Sequence, residues 1–126
     1  MALASLRGKV VYLDFWASWC GPCRVSFPQL EQMRQQLGPR GFEVLAVNVD
    51  EFEDDALRFL REIDVSYPVV RDGSGKSPGE WGIRGMPTGF LIDRHGRVRL
   101  VHQGYRKSDG DKLRSEVTRL LEESTP

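Results

Sequence analysis

The stretch Val10-Val11-Tyr12-Leu13-Asp14-Phe15, followed shortly by Trp19-Cys20-Gly21-Pro22-Cys23, contains the only two cysteines of the chain. An apolar run, a tight turn and the head of an amphipathic segment read as strand, turn and helix N-terminus. Two cysteines so close together have four explanations. A c-type haem site needs His after the second cysteine, where Arg24 stands. A structural zinc site needs two further ligands, and His95 and His102 are too far apart for the usual pair. A structural disulfide here would close so short a loop that it removes little entropy from the unfolded chain. A redox dithiol remains, because Cys-x-x-Cys between strand and helix is the specific form of that signal.

The order of the residues follows from thiol chemistry. A thiolate attacks a disulfide and a thiol does not, so the attacking sulfur needs a depressed pKa. Cys20 falls in the N-cap region, where unpaired N–H groups and the positive end of the helix dipole favour negative charge. Cys23 lies about one turn further in, where shielding suits a resolving thiol. Gly21 permits the sharp turn, and Pro22 suits a first-turn position whose N–H has no helical partner. Asp14 is the anomaly of the preceding strand. A carboxyl inside an apolar run is read either as a strand-end residue bonded to nearby backbone or as a desolvated acid of raised pKa. In the second reading it exchanges a proton with Cys23, directly or through a water.

Length and composition bound the rest. A chain of 126 residues with 40% apolar and 29% charged residues is expected to form one soluble globular domain, residues 1–126. Zero formal net charge argues against nucleic acid or an anionic membrane as the main partner. No apolar run reaches the length of a membrane span. Met1-Ala2-Leu3-Ala4-Ser5-Leu6 is too short for a signal peptide and lacks a basic start. The expectation is a cytoplasmic chain, or one from which a targeting segment is absent.

Along the chain, residues 9–15 predict a central strand covered on both faces. A helix from Cys20 or Pro22 to Leu37 follows, with Phe27, Leu30, Met33 and Leu37 inward and Pro28 kinking it. Residues 42–50 form the second strand and run into the acidic patch Asp50–Asp55, read mainly as a helix N-terminal turn. That helix continues to about Ile63, with Leu57, Leu60 and Phe59 inward. Tyr67–Val70 is a short strand, and a short helix lies around Pro78–Trp81. Gly89–Asp93 and Val98–Gln103 form a hairpin whose turn holds His95, and His102 lies outward or packs. A last helix, capped near Ser108 or Asp109, carries Leu113, Val117, Leu120 and Leu121 on one stripe. This order predicts an α/β fold: a mixed sheet with parallel crossovers, antiparallel strands at one edge, and helices on both faces.

Asp14-Phe15-Trp16-Ala17-Ser18-Trp19-Cys20-Gly21-Pro22-Cys23 closely resembles the active-site segment of thioredoxins. Gly82-Ile83-Arg84-Gly85-Met86-Pro87-Thr88 resembles that family's second signature, and Pro28 stands where thioredoxins have proline. Leu6-Arg7-Gly8-Lys9-Val10-Val11, Val47-Asn48-Val49-Asp50-Glu51, Tyr67-Pro68-Val69 and Phe90-Leu91-Ile92-Asp93-Arg94-His95-Gly96 are similar to the TlpA/ResA group of thiol–disulfide oxidoreductases. The resemblance implies a thioredoxin fold with a cis Met86–Pro87 bond beside the dithiol, leaving the Met86 backbone free to pair with an extended substrate segment. It also implies that Pro87 keeps metals off the dithiol, that residues 42–63 supply a strand and helix inserted in this group, and that Glu51 acts near the active site. Trp16, Trp19 and Met86 are expected to rim the contact surface, together with Gly21 and Pro22. Two departures stand out: Asp14 is the more thioredoxin-like choice, and the group's usual N-terminal hairpin before Leu6-Arg7-Gly8-Lys9 is expected to be missing or cut away.

The resulting expectation is an enzyme that reduces protein disulfides with Cys20, Cys23, Asp14 and Glu51, as a monomer, using no cofactor beyond the Cys20–Cys23 couple. Gly-Pro between the cysteines resembles the reducing end of the family. The expected partners are a disulfide-bearing protein, with apocytochrome c among the candidates, and a dithiol electron donor. The donor is of the DsbD type if the chain works in the periplasm or cell envelope, and thioredoxin reductase if it is cytoplasmic. A peroxiredoxin-like peroxidase needs a further cysteine that the chain lacks. A copper chaperone using the same two cysteines is the non-enzymatic alternative.

Overall fold

The computed structural model describes residues 6–123; the weighed targeting segment lies outside them except for Leu6. The elements are β1 (Val10–Trp16), α1 (Gly21–Leu37), β2 (Phe42–Asn48), α2 (Glu53–Glu62), β3 (Val69–Arg71), α3 (Ser77–Glu80), β4 (Thr88–Ile92), β5 (Val98–Gln103) and α4 (Asp109–Glu122). The five strands form one sheet in the order β3-β2-β1-β4-β5. β1, β2 and β3 run parallel, and β4 is antiparallel to both β1 and β5.

β1 lies at the centre, and all seven of its residues are buried, which is why it reads as an almost unbroken apolar run. Its alternate residues serve two cores. Val10, Tyr12 and Trp16 pack with the inward faces of α1, α2 and α4. Val11, Leu13 and Phe15 pack with Leu6, Leu45, Phe90, Ile92 and, from the segment after α3, Trp81 and Ile83. Both crossovers from β1 to β2 and from β2 to β3 step in the same direction. Right-handed connections therefore place α1 and α2 on the same face.

Two expectations about packing change. In α2, the inward stripe is Ala56, Phe59, Leu60 and Ile63, an i, i+3, i+4, i+7 set that leaves Leu57 45% exposed. Trp16, expected at a contact rim, is wholly buried. Its position on the α1 side of β1 wedges it between Phe27 and Phe59, with ring centroids 4.7 Å away in each case.

α1 runs unbroken through Pro28. Ser108 precedes α4 without a side-chain capping bond. The Asp109 carboxylate, at the first residue of α4, instead accepts from the Arg106 amide ahead of the helix at 2.8 Å. The β4–β5 turn is organised by Asp93, which accepts from the His95 and Arg97 amides, so His95 is a turn residue as expected.

Candidate active site

Cys20 and Cys23 are joined in a disulfide, with their Cα atoms 5.4 Å apart. Cys20 is the N-cap of α1, in extended conformation, and its Sγ accepts from the Cys23 N–H at 3.2 Å. That bond occupies one of the amides left free at a helix start, and it stabilises negative charge on Cys20 more than on a neutral sulfur. Gly21 and Pro22 are exposed on the first turn. Cys20 retains 3% exposure and Cys23 none, so the outer sulfur is only marginally accessible while the disulfide is closed.

β1 carries a buried acid on the strand that leads into the dithiol. Asp14 is 1% exposed, and its Oδ2 has no hydrogen-bond partner. It shares a face of β1 with Tyr12 and Trp16, which pack in the same core as Cys23. Burial alone pushes its pKa up to about 8. Ala46 stands beside it on β2, so no cation on that strand offsets the desolvation. The strand-end reading, in which backbone bonds satisfy this carboxyl, does not describe the orphaned Oδ2.

The Met86–Pro87 peptide is cis. Pro87 is buried and its carbonyl accepts from the Gly104 amide at 2.8 Å. Met86 packs partly against both cores, including the cluster that holds Cys20 and Cys23. Thr88 pairs with Phe15, so this loop leaves the sheet at the end from which β1 runs into the dithiol. Trp19 is 71% exposed and stands at the edge of the site.

One buried acid of the site was read only as part of the α2 start. Asp50 is 3% exposed and accepts from the Ser18 backbone N–H at 2.9 Å, the Ser18 hydroxyl at 2.8 Å and the Asn48 side-chain Nδ2 at 2.7 Å. It clamps the residue before Trp19 to the end of β2. The alternation Asn48-Val49-Asp50 held the signal, since it puts both polar side chains on one side of the chain. Glu51 is exposed instead, and its carbonyl accepts from Arg71 at 2.8 Å. Arg24, next to Cys23, lies 4.9 Å over the Phe59 ring and pairs with Glu62 at 2.9 Å.

A cysteine couple at a helix N-terminus, beside a cis-proline loop on a central mixed sheet, defines a thiol–disulfide oxidoreductase of thioredoxin fold. The chain belongs to the redoxin family, whose profile matches residues 1–121. It is 32% identical over 124 residues to thiol-disulfide oxidoreductase ResA of Bacillus cereus, covering 98% of this chain and 68% of that protein. A crystal structure from Chlorobium tepidum, described as a thiol:disulfide interchange protein DsbE, superposes with a TM-score of 0.92 at 47% identity. That match covers 94% of this chain and 84% of the other. The exposed lipoprotein thioredoxin Etrx1 of Streptococcus pneumoniae matches with a TM-score of 0.79 at 31% identity, covering 94% and 90% of the two chains.

The redox group is the Cys20–Cys23 couple itself. Among the described residues, no cluster of three or more His, Cys, Asp or Glu side chains is arranged to hold a metal. The copper-chaperone alternative gains no support.

Proposed function

We propose that this protein acts as a reductant of protein disulfides, as a single domain and a monomer, with Cys20 as nucleophile and Cys23 as resolving thiol. The observation that supports this most is the pairing of a helix-capping Cys20 with a fully buried Cys23, together with the buried, unpartnered Asp14 carboxyl on the strand that leads into them. The Cys20 thiolate attacks a partner disulfide, forming a mixed disulfide and releasing one partner sulfur as thiolate. Cys23 then gives its proton to Asp14 and attacks the Cys20 sulfur. The second partner sulfur leaves with the electron pair, and Cys20–Cys23 is oxidised. In the reverse direction, a donor thiolate attacks Cys20 and the departing Cys23 sulfur takes the proton from Asp14.

Trp19, Gly21, Pro22, Met86 and Pro87 form the contact surface in this reading. The first three are exposed around the couple, and the Met86 backbone lies at the loop edge where an extended segment can pair. Glu51 enters as an exposed rim carboxylate. The substrate class is a protein bearing a disulfide in an extended segment, with the cysteine pair of an apocytochrome c as one example. The compartment is the cell envelope and the donor a membrane dithiol protein of the DsbD type, a reading supported by likeness to ResA and to an exposed lipoprotein.

Redox equilibration against glutathione tests the direction of transfer. A potential near the about −270 mV of thioredoxin is expected, and one near about −120 mV would make the protein an oxidant instead. Reduction of insulin with dithiothreitol as donor tests the activity itself.

A further inference from the structure

Arg84, Gly85, Met86 and Thr88 from the cis-proline loop, with Gln103 and Gly104 from the end of β5, line a groove of about 270 Å³. The two segments meet because Thr88 pairs with Gln103 across β4 and β5, and the Gly104 N–H donates to the Pro87 carbonyl at 2.8 Å. The Thr88 hydroxyl is spent within the loop, donating to the Gly85 carbonyl at 2.7 Å. The Met86 N–H and carbonyl have no hydrogen-bond partner among the described residues. A Cβ added at Gly85 or Gly104 would meet nothing within 4 Å, so bare backbone walls the groove at both positions. That leaves room for a side chain from another molecule.

Two exposed polar side chains line this groove, Arg84 from the loop and Gln103 from β5. Among the described residues, Arg84 makes no ion pair. Arg24, by contrast, is held by Glu62, and Arg71 donates to the carbonyls of Asp50 and Glu51. A free guanidinium takes a carboxylate through two parallel N–H bonds, and a neighbouring side-chain amide adds a donor. Across β1 the sign of the charge reverses. The strand order puts the β2 end and the α2 start on the other side of β1, where Glu51, Glu53 and Asp54 are exposed. An acid on a bound segment is therefore attracted on the β4–β5 side of the couple and repelled on the β2 side.

The geometry points to Arg84 and Gln103 as specificity residues that receive an Asp or Glu side chain of the disulfide-bearing segment while that segment pairs with the Met86 main chain. This assignment rests on the reductase reading above and narrows its substrate class to an extended segment with an acid on one side of the attacked cysteine. Met86 both lines the groove and packs against the cluster that holds Cys20. The acid accordingly stands within about two residues of the cysteine, a reach of ~6.8 Å in an extended chain. It binds and takes no part in the exchange of sulfurs.

The test uses symmetric disulfides of single-cysteine peptides, blocked at both ends so that only side chains carry charge. Glu, Gln or Lys is placed at each of the two positions before and the two after the cysteine. The full chain reduces them with dithiothreitol as donor, and the direct reaction of donor with peptide is subtracted. At one position, on one side of the cysteine only, Glu should give about fivefold higher kcat/KM than Lys, the upper range for an exposed ion pair. The preference should lie in KM, as binding shared by ground and transition states does, and should shrink as salt is added. Arg84→Glu should reverse the order of Glu and Lys, which loss of a merely structural arginine would not do. Gln103→Ala should reduce the preference for Glu over Gln at that same position. Equal rates for Glu and Lys at every position, or an unchanged order in Arg84→Glu, would overturn the groove assignment and leave the reductase reading in place. If the wild-type chain reduces neither the peptides nor insulin, that reading and the assignment fall together.

Discussion

Ser18 donates to the Asp50 carboxylate twice, from its amide at 2.9 Å and from its hydroxyl at 2.8 Å. Through that pair the end of β2 holds the segment that leads into Cys20. Two hydrogen bonds to a buried carboxylate make this a costly contact to lose, because charge-assisted bonds contribute more than neutral ones. Asp50→Ala is expected to lower stability by about 3 kcal/mol, measured by urea denaturation of the oxidised protein at neutral pH. The Cys20 turn should also become more reactive toward reductants, because its anchor is gone. An Asp50→Ala protein as stable as the wild type would show that the clamp contributes nothing net.

The raised pKa of Asp14 sets a stability trend with pH. The folded state holds this proton up to about pH 8, whereas an unfolded aspartate releases it near 3.9. Between those values the native state binds the extra proton, so this group's contribution is full below about pH 4 and is lost as pH rises to about 8. The loss amounts to at most about 1.4 kcal/mol per pH unit. Asp14→Asn carries no such charge. Its advantage over the wild type in denaturation experiments should therefore grow from pH 5 to pH 8, and a difference independent of pH would show that the carboxyl is not desolvated.

The two tryptophans beside the site separate packing from recognition. Trp16 is wedged between Phe27 and Phe59, and Trp16→Ala should cost about 3–5 kcal/mol. Trp19 is 71% exposed, and Trp19→Ala should change stability by no more than about 0.5 kcal/mol. In steady-state insulin reduction, Trp19→Ala should raise KM with little effect on kcat, because it removes contact area and no reacting group.

Gly89 is required by a neighbour rather than by its backbone. Gly89→Ala drives a methyl into the Tyr12 phenol and should cost about 1–3 kcal/mol as overpacking. Tyr12→Leu vacates that space. The double variant should therefore be less destabilised than the sum of the two single ones, with a coupling of about 0.5–3 kcal/mol in a thermodynamic cycle. Additive losses would place the phenol elsewhere.

The two cysteines differ in what they can trap. Cys23→Ser leaves the attacking sulfur without its resolver, and mixed disulfides with partner proteins should accumulate through Cys20. Cys20→Ser leaves only a sulfur that is wholly buried in the oxidised protein, and should trap almost none. Equal trapping by both, read by non-reducing electrophoresis and mass spectrometry, would reverse or abolish the assigned roles.

Much of this molecule is legible without coordinates because its signals are local. The spacing of Cys20 and Cys23 after an apolar run specifies strand, turn and helix start. The Leu113, Val117, Leu120 and Leu121 stripe specifies the inward face of α4. Readings failed where a side chain's fate depends on a distant element. Leu57 and Phe59 sit in one amphipathic helix, and only the position of α2 over the sheet decides that Phe59 turns inward and Leu57 outward. Trp16 and Trp19 are similar residues in one segment, yet the first points under α1 and the second leaves the sheet. Asp50 lay within an acidic run that suits a helix N-terminus, and its bond to Ser18 spans two strand ends.

By itself, the order of residues determined the reacting group, the strand that delivers it and the class of chemistry, because a thiol pair at a helix start is a matter of neighbours in the chain. Tertiary structure alone decided the environment of that group: Asp14 left without a partner, Asp50 bound to Ser18, and a phenol lying over Gly89. The physical reason is that desolvation and contact depend on what other strands and helices bring alongside. Such distances are set when the sheet assembles.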